Sequence, residues 1–364
     1  MASICGNRLK VSVFGQSHAP GIGCVIDGLP AGEPIDMDAL GRFLARRAPG
    51  RDAFSTARKE ADLPEFISGL CDGVTCGAPL CAVIRNGDQH SKDYSEIADK
   101  PRPGHADYTA HIKYHGAQDV RGGGHFSGRL TAPLCIAGGI ARQILARRGI
   151  HIGAHSYAVN GVRDTAFDPC AVSVADFELL ENKPFCVLDD AAGAQMQQRI
   201  LAAKDACDSV GGIIECAVVG LPVGLGAPMF DGMENRLAQI LFGVPAVKGV
   251  EFGDGFASAA LRGSENNDPM VMGEDGIPRM TTNHAGGILG GITTGMPLIV
   301  RCAIKPTPSI GQPQNTISLS GQRNAELTVH GRHDPCIVPR AVPVILAATA
   351  IGILDAVLDN TPDF

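Results

Sequence analysis

The sequence predicts an α+β fold, antiparallel sheets flanked by helices, on three observations. Strand-like and helix-like runs follow one another without regular βαβ alternation, the strand-like runs stop on Gly or Pro, and two motifs recur in the same order in both halves. Residues 8–15 (RLKVSVFG), 23–30 (GCVIDGLP) and 80–86 (LCAVIRN) are β-branched runs of strand length. Residues 152–162, 213–222 and 297–306 read the same way. Between them lie helix patterns. Asp36 is placed to cap a run that closes on Arg46 and Arg47 before Pro49 and Gly50, and residues 130–149 close on Arg147, Arg148 and Gly149. Residues 192–206, 230–243 and 341–359 are further helix candidates.

The repeat organises the chain. Residues 69–80 and 287–298 share G-x3-G-[V/I]-T-x-G-x-P-L, 218 residues apart, and residues 28–32 and 220–224 share G-L-P-x-G, 192 apart. Two matches in order indicate an internal duplication whose period is too long for a solenoid. No linker-like stretch separates the halves. Residues 1–364 therefore read as one unit built from two similar halves, about 8–150 and about 151–358, on a shared core.

Composition narrows the function. A net charge of −7 argues against nucleic acid or an anionic membrane surface as the main partner, and 45% hydrophobic residues are ample for a core. Twelve cysteines without a CxxC pair suit buried thiols in a reducing compartment. The N-terminal stretch lacks a signal-peptide core, and the apolar run 343–354 reads as too short to span a bilayer, so the expectation is a cytoplasmic protein. No HxH, HExxH or Cys/His spacing predicts a metal site, and no P-loop supports a nucleotide-dependent transferase.

Chemistry concentrates in loops. Gly122, Gly123 and Gly124 lie between Arg121 and Arg129, where consecutive glycines signal left-handed backbone or a very close approach. Six histidines occupy Gly- or Pro-punctuated segments: His18, His105, His115, His125, His284 and His333. Arg46, Arg47, Arg51, Arg58, Arg129, Arg301, Arg332 and Arg340 recur in comparable segments, and guanidinium groups of this kind recognise phosphate or carboxylate in a bidentate manner.

The segments 15–32 (GQSHAPGIGCVIDGLPAG), 102–109 (RPGHADYT), 119–132 (DVRGGGHFSGRLTA), 245–256, 283–297, 305–310 (KPTPSI) and 331–344 (GRHDPCIVPRAVPV) together resemble the chorismate synthases. The resemblance implies a β-α-β sandwich with pseudo-twofold internal symmetry, a homotetramer, and conversion of 5-enolpyruvylshikimate 3-phosphate to chorismate and phosphate by 1,4-elimination. It implies reduced FMN, with NADPH as a possible reductant. By motif match His18 and His105 are the two proton-transferring histidines, Asp334 assists flavin-linked proton chemistry, and Ser17 and Ser127 lie beside the flavin. The FMN pattern falls on His125, Phe126, Ser127, Pro245, Ala246, Gly290, Lys305, Pro306, Thr307, Pro308, Ser309 and Arg332, and the substrate pattern on Arg47, Arg129, Arg332 and Arg340. Departures occur at Gln16, Ala19, Ala48, Ala53, His125 and Leu130, which remove local charge while the histidines and Asp334 stay.

Overall fold

All six predicted strands form, and every strand pairing among the described residues is antiparallel. The structure, a computed structural model, describes residues 3–50, 62–87, 96–329 and 334–360. One five-stranded sheet runs, in spatial order, Ile4–Cys5, Lys10–Gly15, Gly21–Asp27, Leu80–Arg85 and Glu65–Ser68. The other runs Val162–Arg163, His151–Val159, Gly212–Val219, Leu298–Ile304 and Val247–Phe252. The four longest strands of each sheet share one order, with the third strand in sequence outside the fourth. Register follows suit: Cys24 lies opposite Val13 and Ala82, and Cys216 opposite Ala154 and Val300.

The repeated motifs meet each other in the same way in both halves. Thr75 Oγ1 donates to the Pro30 carbonyl at 2.6 Å and accepts from Glu33 N at 2.9 Å. Thr293 Oγ1 donates to the Pro222 carbonyl at 2.7 Å and accepts from Leu225 N at 2.9 Å. A buried threonine thus satisfies both its donor and its acceptor on the partner turn, which explains why Thr and the G-L-P-x-G turn recur together.

The described α-helices are α1 (Met37–Arg47), α2 (Asp107–Lys113), α3 (Thr131–Ala146), α4 (Val174–Asn182), α5 (Asp190–Asp205), α6 (Met233–Gly243), α7 (Gly263–Asn266) and α8 (Val338–Asp359). Asp36 caps α1 by accepting from Ala39 N. Helix α3 packs on the first sheet and α8 on the second, and the two helices pack on each other. Gly138 allows that approach, since a Cβ there would overlap the Ala347 backbone. Helix α8 is long and apolar enough, by length and composition, to cross a membrane, which corrects the sequence expectation. The helical register starts at Val338, upstream of the apolar run, and most of its length is buried in the protein core. Its Asp355 is buried too, accepting from the backbone N–H groups of Asn7, Arg8 and Leu9 at 2.8–3.0 Å.

The cysteines are all free; six are buried, but Cys71, Cys76, Cys170 and Cys207 are exposed, which the buried-thiol reading does not anticipate. The edge strands Glu65–Ser68 and Val247–Phe252 and the hairpin Gln314–Ser318/Arg323–Leu327 were not among the predicted elements. The hairpin strands are polar and alternate weakly in burial, so no hydrophobic period marks them.

Candidate active site

The triple glycine is the centre of the site. Gly122, Gly123 and Gly124 have φ of +59°, +86° and +56°, the left-handed region that side chains disfavour. A Cβ on Gly122 would overlap the His18 ring, and one on Gly123 would lie 3.1 Å from His105 Nε2. Adjacent glycines therefore separate two histidines that are 87 positions apart in the chain. The Ser17 amide donates to the Gly124 carbonyl at 3.1 Å, joining this loop to the His18 turn. Asn86 Nδ2 secures that turn from below, donating to the carbonyls of Gln16, Ser17 and Ala19 at 3.2, 3.3 and 2.8 Å.

His105 lies just before α2, with Nδ1 2.6 Å from Asp107 Oδ1. Arg102 grips the same carboxylate through Nε at 2.7 Å and a terminal nitrogen at 2.8 Å. Burial alone would raise the Asp107 carboxyl, but the hydrogen bonds from Arg102 and His105 outweigh it and hold it far below the usual carboxylate range. The second half reaches this loop directly. Arg102 donates to Ser309 Oγ at 3.1 Å, Lys305 Nζ donates to the Gly104 carbonyl, and Pro308 lies against Gly104. Asp99 also accepts from Ser318 Oγ and Ser320 N, both at 2.7 Å, over a small core of Ile97, Leu327 and Val329.

Three predicted anion ligands converge beside the loop. Arg47 and Arg129 are both buried and share Asp62, which Arg47 meets at 2.5 Å. Arg47 also donates to Thr131 Oγ1 and the Gly128 carbonyl, each at 3.1 Å. Burial pushes the Asp62 carboxyl up, but the charges of Arg47 and Arg129 prevail and keep it below its ordinary value. Arg340, in the first turn of α8, donates to Asp334 and, at 3.1 Å, to the Arg47 carbonyl. Burial lowers the Arg340 guanidinium from its ordinary value, with Asp334 acting in the other direction. Arg129 Nε donates to Asn86 Oδ1 at 3.3 Å, so one asparagine links the His18 turn to the arginines.

The remaining predicted positions divide. Ser127 Oγ accepts from the Arg129 amide at 3.2 Å, and Phe126 is exposed near Tyr114. His125 is held within the chain: Nδ1 donates to the Gly15 carbonyl and Nε2 accepts from Ser3 Oγ, both at 2.7 Å. Ala246, with φ +74°, follows Pro245 and accepts from the Lys305 amide at 3.0 Å, which places both residues beside the 305–309 run. Gly290 lies in the hairpin of Ile288–Leu289 and Ile292–Thr293, whose Gly291 rests on Ala227 and Gly232. Arg332, like Arg51, Ala53, Arg58 and His333, lies outside the described residues. Sequence reasoning missed Asp62, Asn86, Arg102 and Asp107. For Asp107 a signal existed, because His-x-Asp in a Pro-Gly loop puts a carboxylate within reach of an imidazole.

An antiparallel α+β sandwich whose glycine loop sets two imidazoles beside paired arginines defines an acid–base enzyme for an anionic small molecule. Comparison with known proteins identifies which one. The family model described as chorismate synthase matches residues 9–358, and the chain belongs to that family. Chorismate synthase of Lancefieldella parvula is 46% identical, covering 98% of this chain and 96% of its own. That of Korarchaeum cryptofilum is 44% identical over 98% and 97% of the two chains, and that of Thermococcus kodakarensis 46% over 97% of each. A solved structure titled "Crystal Structure of Chorismate Synthase" superposes with a TM-score of 0.76 at 26% identity, covering 97% of this chain and 93% of that one. The activity is that of a carbon–oxygen lyase of aromatic amino-acid biosynthesis, forming chorismate and phosphate from 5-enolpyruvylshikimate 3-phosphate.

Proposed function

We propose that His18 and His105 carry the proton transfers of this elimination, one toward the departing phosphate and one toward the cofactor ring. The packing of both rings against neighbouring glycines carries the reading, because it gives two loop-borne bases access to one space. Arg47, Arg129, Arg332 and Arg340 bind the phosphate and carboxylates, with Asp62 and Asp334 balancing three of these charges before substrate arrives. Asp334 assists proton movement, and Ser17 and Ser127 orient groups at the cofactor.

The cofactor we assign is reduced FMN. Thr307 Oγ1 is buried without a hydrogen-bond partner among the described residues, an orphan that a polar ligand would satisfy, and Lys305 supplies a cation in the same run. Residues 305–309, Pro245, Ala246, His125, Phe126, Ser127, Gly290 and Arg332 would hold it. Bound there, reduced FMN would supply electron density for the allylic system and a basic ring atom for the departing hydrogen. NADPH is proposed as its reductant.

The assembly we propose is a homotetramer in the cytoplasm, each chain one unit of two duplicated halves. Phe230 and Phe256 are 87% exposed in the single chain, alongside exposed Met229, Met270 and Met272, apolar surface that a partner subunit would cover. Anaerobic assays test the site. His18→Ala and His105→Ala should each cut phosphate release by about 100-fold or more in a folded protein. Wild-type rates in either variant, or full turnover without FMN, would remove that element from the proposal.

A further inference from the structure

We propose that Asp107 is a positioning residue, holding His105 as the Nδ1–H tautomer so that Nε2 is the ring atom that exchanges a proton with the reactants. The inference rests on the proton-transfer role of His105 and adds which atom is used and what selects it. The 2.6 Å contact between His105 Nδ1 and Asp107 Oδ1 is the shortest of the ring's three polar contacts among the described residues. An ionised carboxylate only accepts, and Asp107 stays ionised across the working range, so Nδ1 must carry the hydrogen.

Arg102 is the sole competitor among the described residues. Its terminal nitrogen lies 3.1 Å from Nδ1 and 3.4 Å from Nε2, nearly equidistant from both. A donor at those two distances lies along neither lone pair, and one of its hydrogens is directed to Asp107 Oδ1 at 2.8 Å. Asp107 in turn cannot rotate away. Its Oδ2 accepts from the Arg102 amide at 3.0 Å and from Nε at 2.7 Å, and Arg102 is anchored on Ser309. Gly123 completes the arrangement, since a side chain there would crowd Nε2 at 3.1 Å. The hydrogen on Nδ1 is thereby committed, and Nε2 faces the triple-glycine loop with its lone pair or its exchangeable proton.

A double-mutant cycle tests this. Asp107→Asn should lower kcat by about 100-fold while KM stays within about 2-fold, because the amide keeps the shape but no longer selects the tautomer. In a His105→Ala background the same change should cost less than about 2-fold, since Asp107 acts through the ring. Unchanged kcat in Asp107→Asn, or losses that multiply in the double variant, overturns the inference. Heteronuclear NMR of the wild-type enzyme, with the His105 signals assigned by their loss in His105→Ala, reads the tautomer directly and needs no stable Asp107 variant. An Nε2–H tautomer there also overturns it. Wild-type turnover in His105→Ala would instead remove the role on which the inference rests, with the NMR result still deciding what Asp107 does to the ring.

Discussion

At Gly122 the backbone passes between Ser17 and His18 at φ +59°, with no room for a single methyl group. Gly122→Ala must move the His18 ring or the loop, and displacements on the order of 1 Å at a reacting group cost about 100-fold in rate. The expected outcome is a fall in kcat of that order with a folded protein by circular dichroism; near-wild-type kcat would show that His18 is not held by this contact. Sequence legibility at this scale follows from chemistry. The glycines and loop histidines are conspicuous because their residue types are costly or unusual where they stand. Asp62 and Asn86 are ordinary polar residues whose importance comes from partners distant in sequence, whereas Asp107 meets Arg102 and His105 five and two positions away, within one local motif. Arg129 meets Asp62 from 67 positions away and Asn86 from 43, distances that no local pattern encodes.

Among elements, the second sheet holds a charged group that the first sheet's apolar register does not. His155, wholly buried, bridges Asp164 at 2.8 Å and Glu215 at 3.0 Å, and Arg301 closes the cluster on Glu215 at 2.8 Å. Burial pulls the His155 imidazole down, yet the two carboxylates outweigh it and leave it raised above its ordinary 6.5. Its contribution to stability is therefore complete below pH 6.5 and is lost as pH climbs through the raised folded value. Burial pushes Glu215 and Asp164 up, but their partners hold both below their ordinary 4.5 and 3.8. Their contribution is present above those values and lost as pH falls through the depressed ones. His155→Gln, which strips the cation from two buried carboxylates, should cost about 3–5 kcal/mol in urea unfolding at neutral pH and remove the alkaline-side decline. A loss below about 1 kcal/mol would contradict this account. The strand itself was legible from its β-branched residues, whereas the inward-facing charge was not, because alternation reveals burial and not pairing.

For the whole molecule, the proposed duplication raises the question of whether each half folds alone. The shared core answers it: α3 belongs to the first half and α8 to the second, yet Gly138 and Ala347 bring their backbones together. Asp355 of α8 also caps the loop at residues 7–9 of the first half. Neither half can bury its central helix without the other, so unfolding should be a single event rather than two. The absence of tryptophan makes the test clean. Phe66→Trp reports on the first half and Phe252→Trp on the second, each replacing a partly buried aromatic that packs against the common core. Their fluorescence transitions in urea should coincide in midpoint and slope with the loss of helix signal, at a fixed protein concentration because any oligomer contributes to stability. Two separated midpoints would mean that the halves are independent cooperative units joined only by contact, and the single-unit organisation would have to be abandoned.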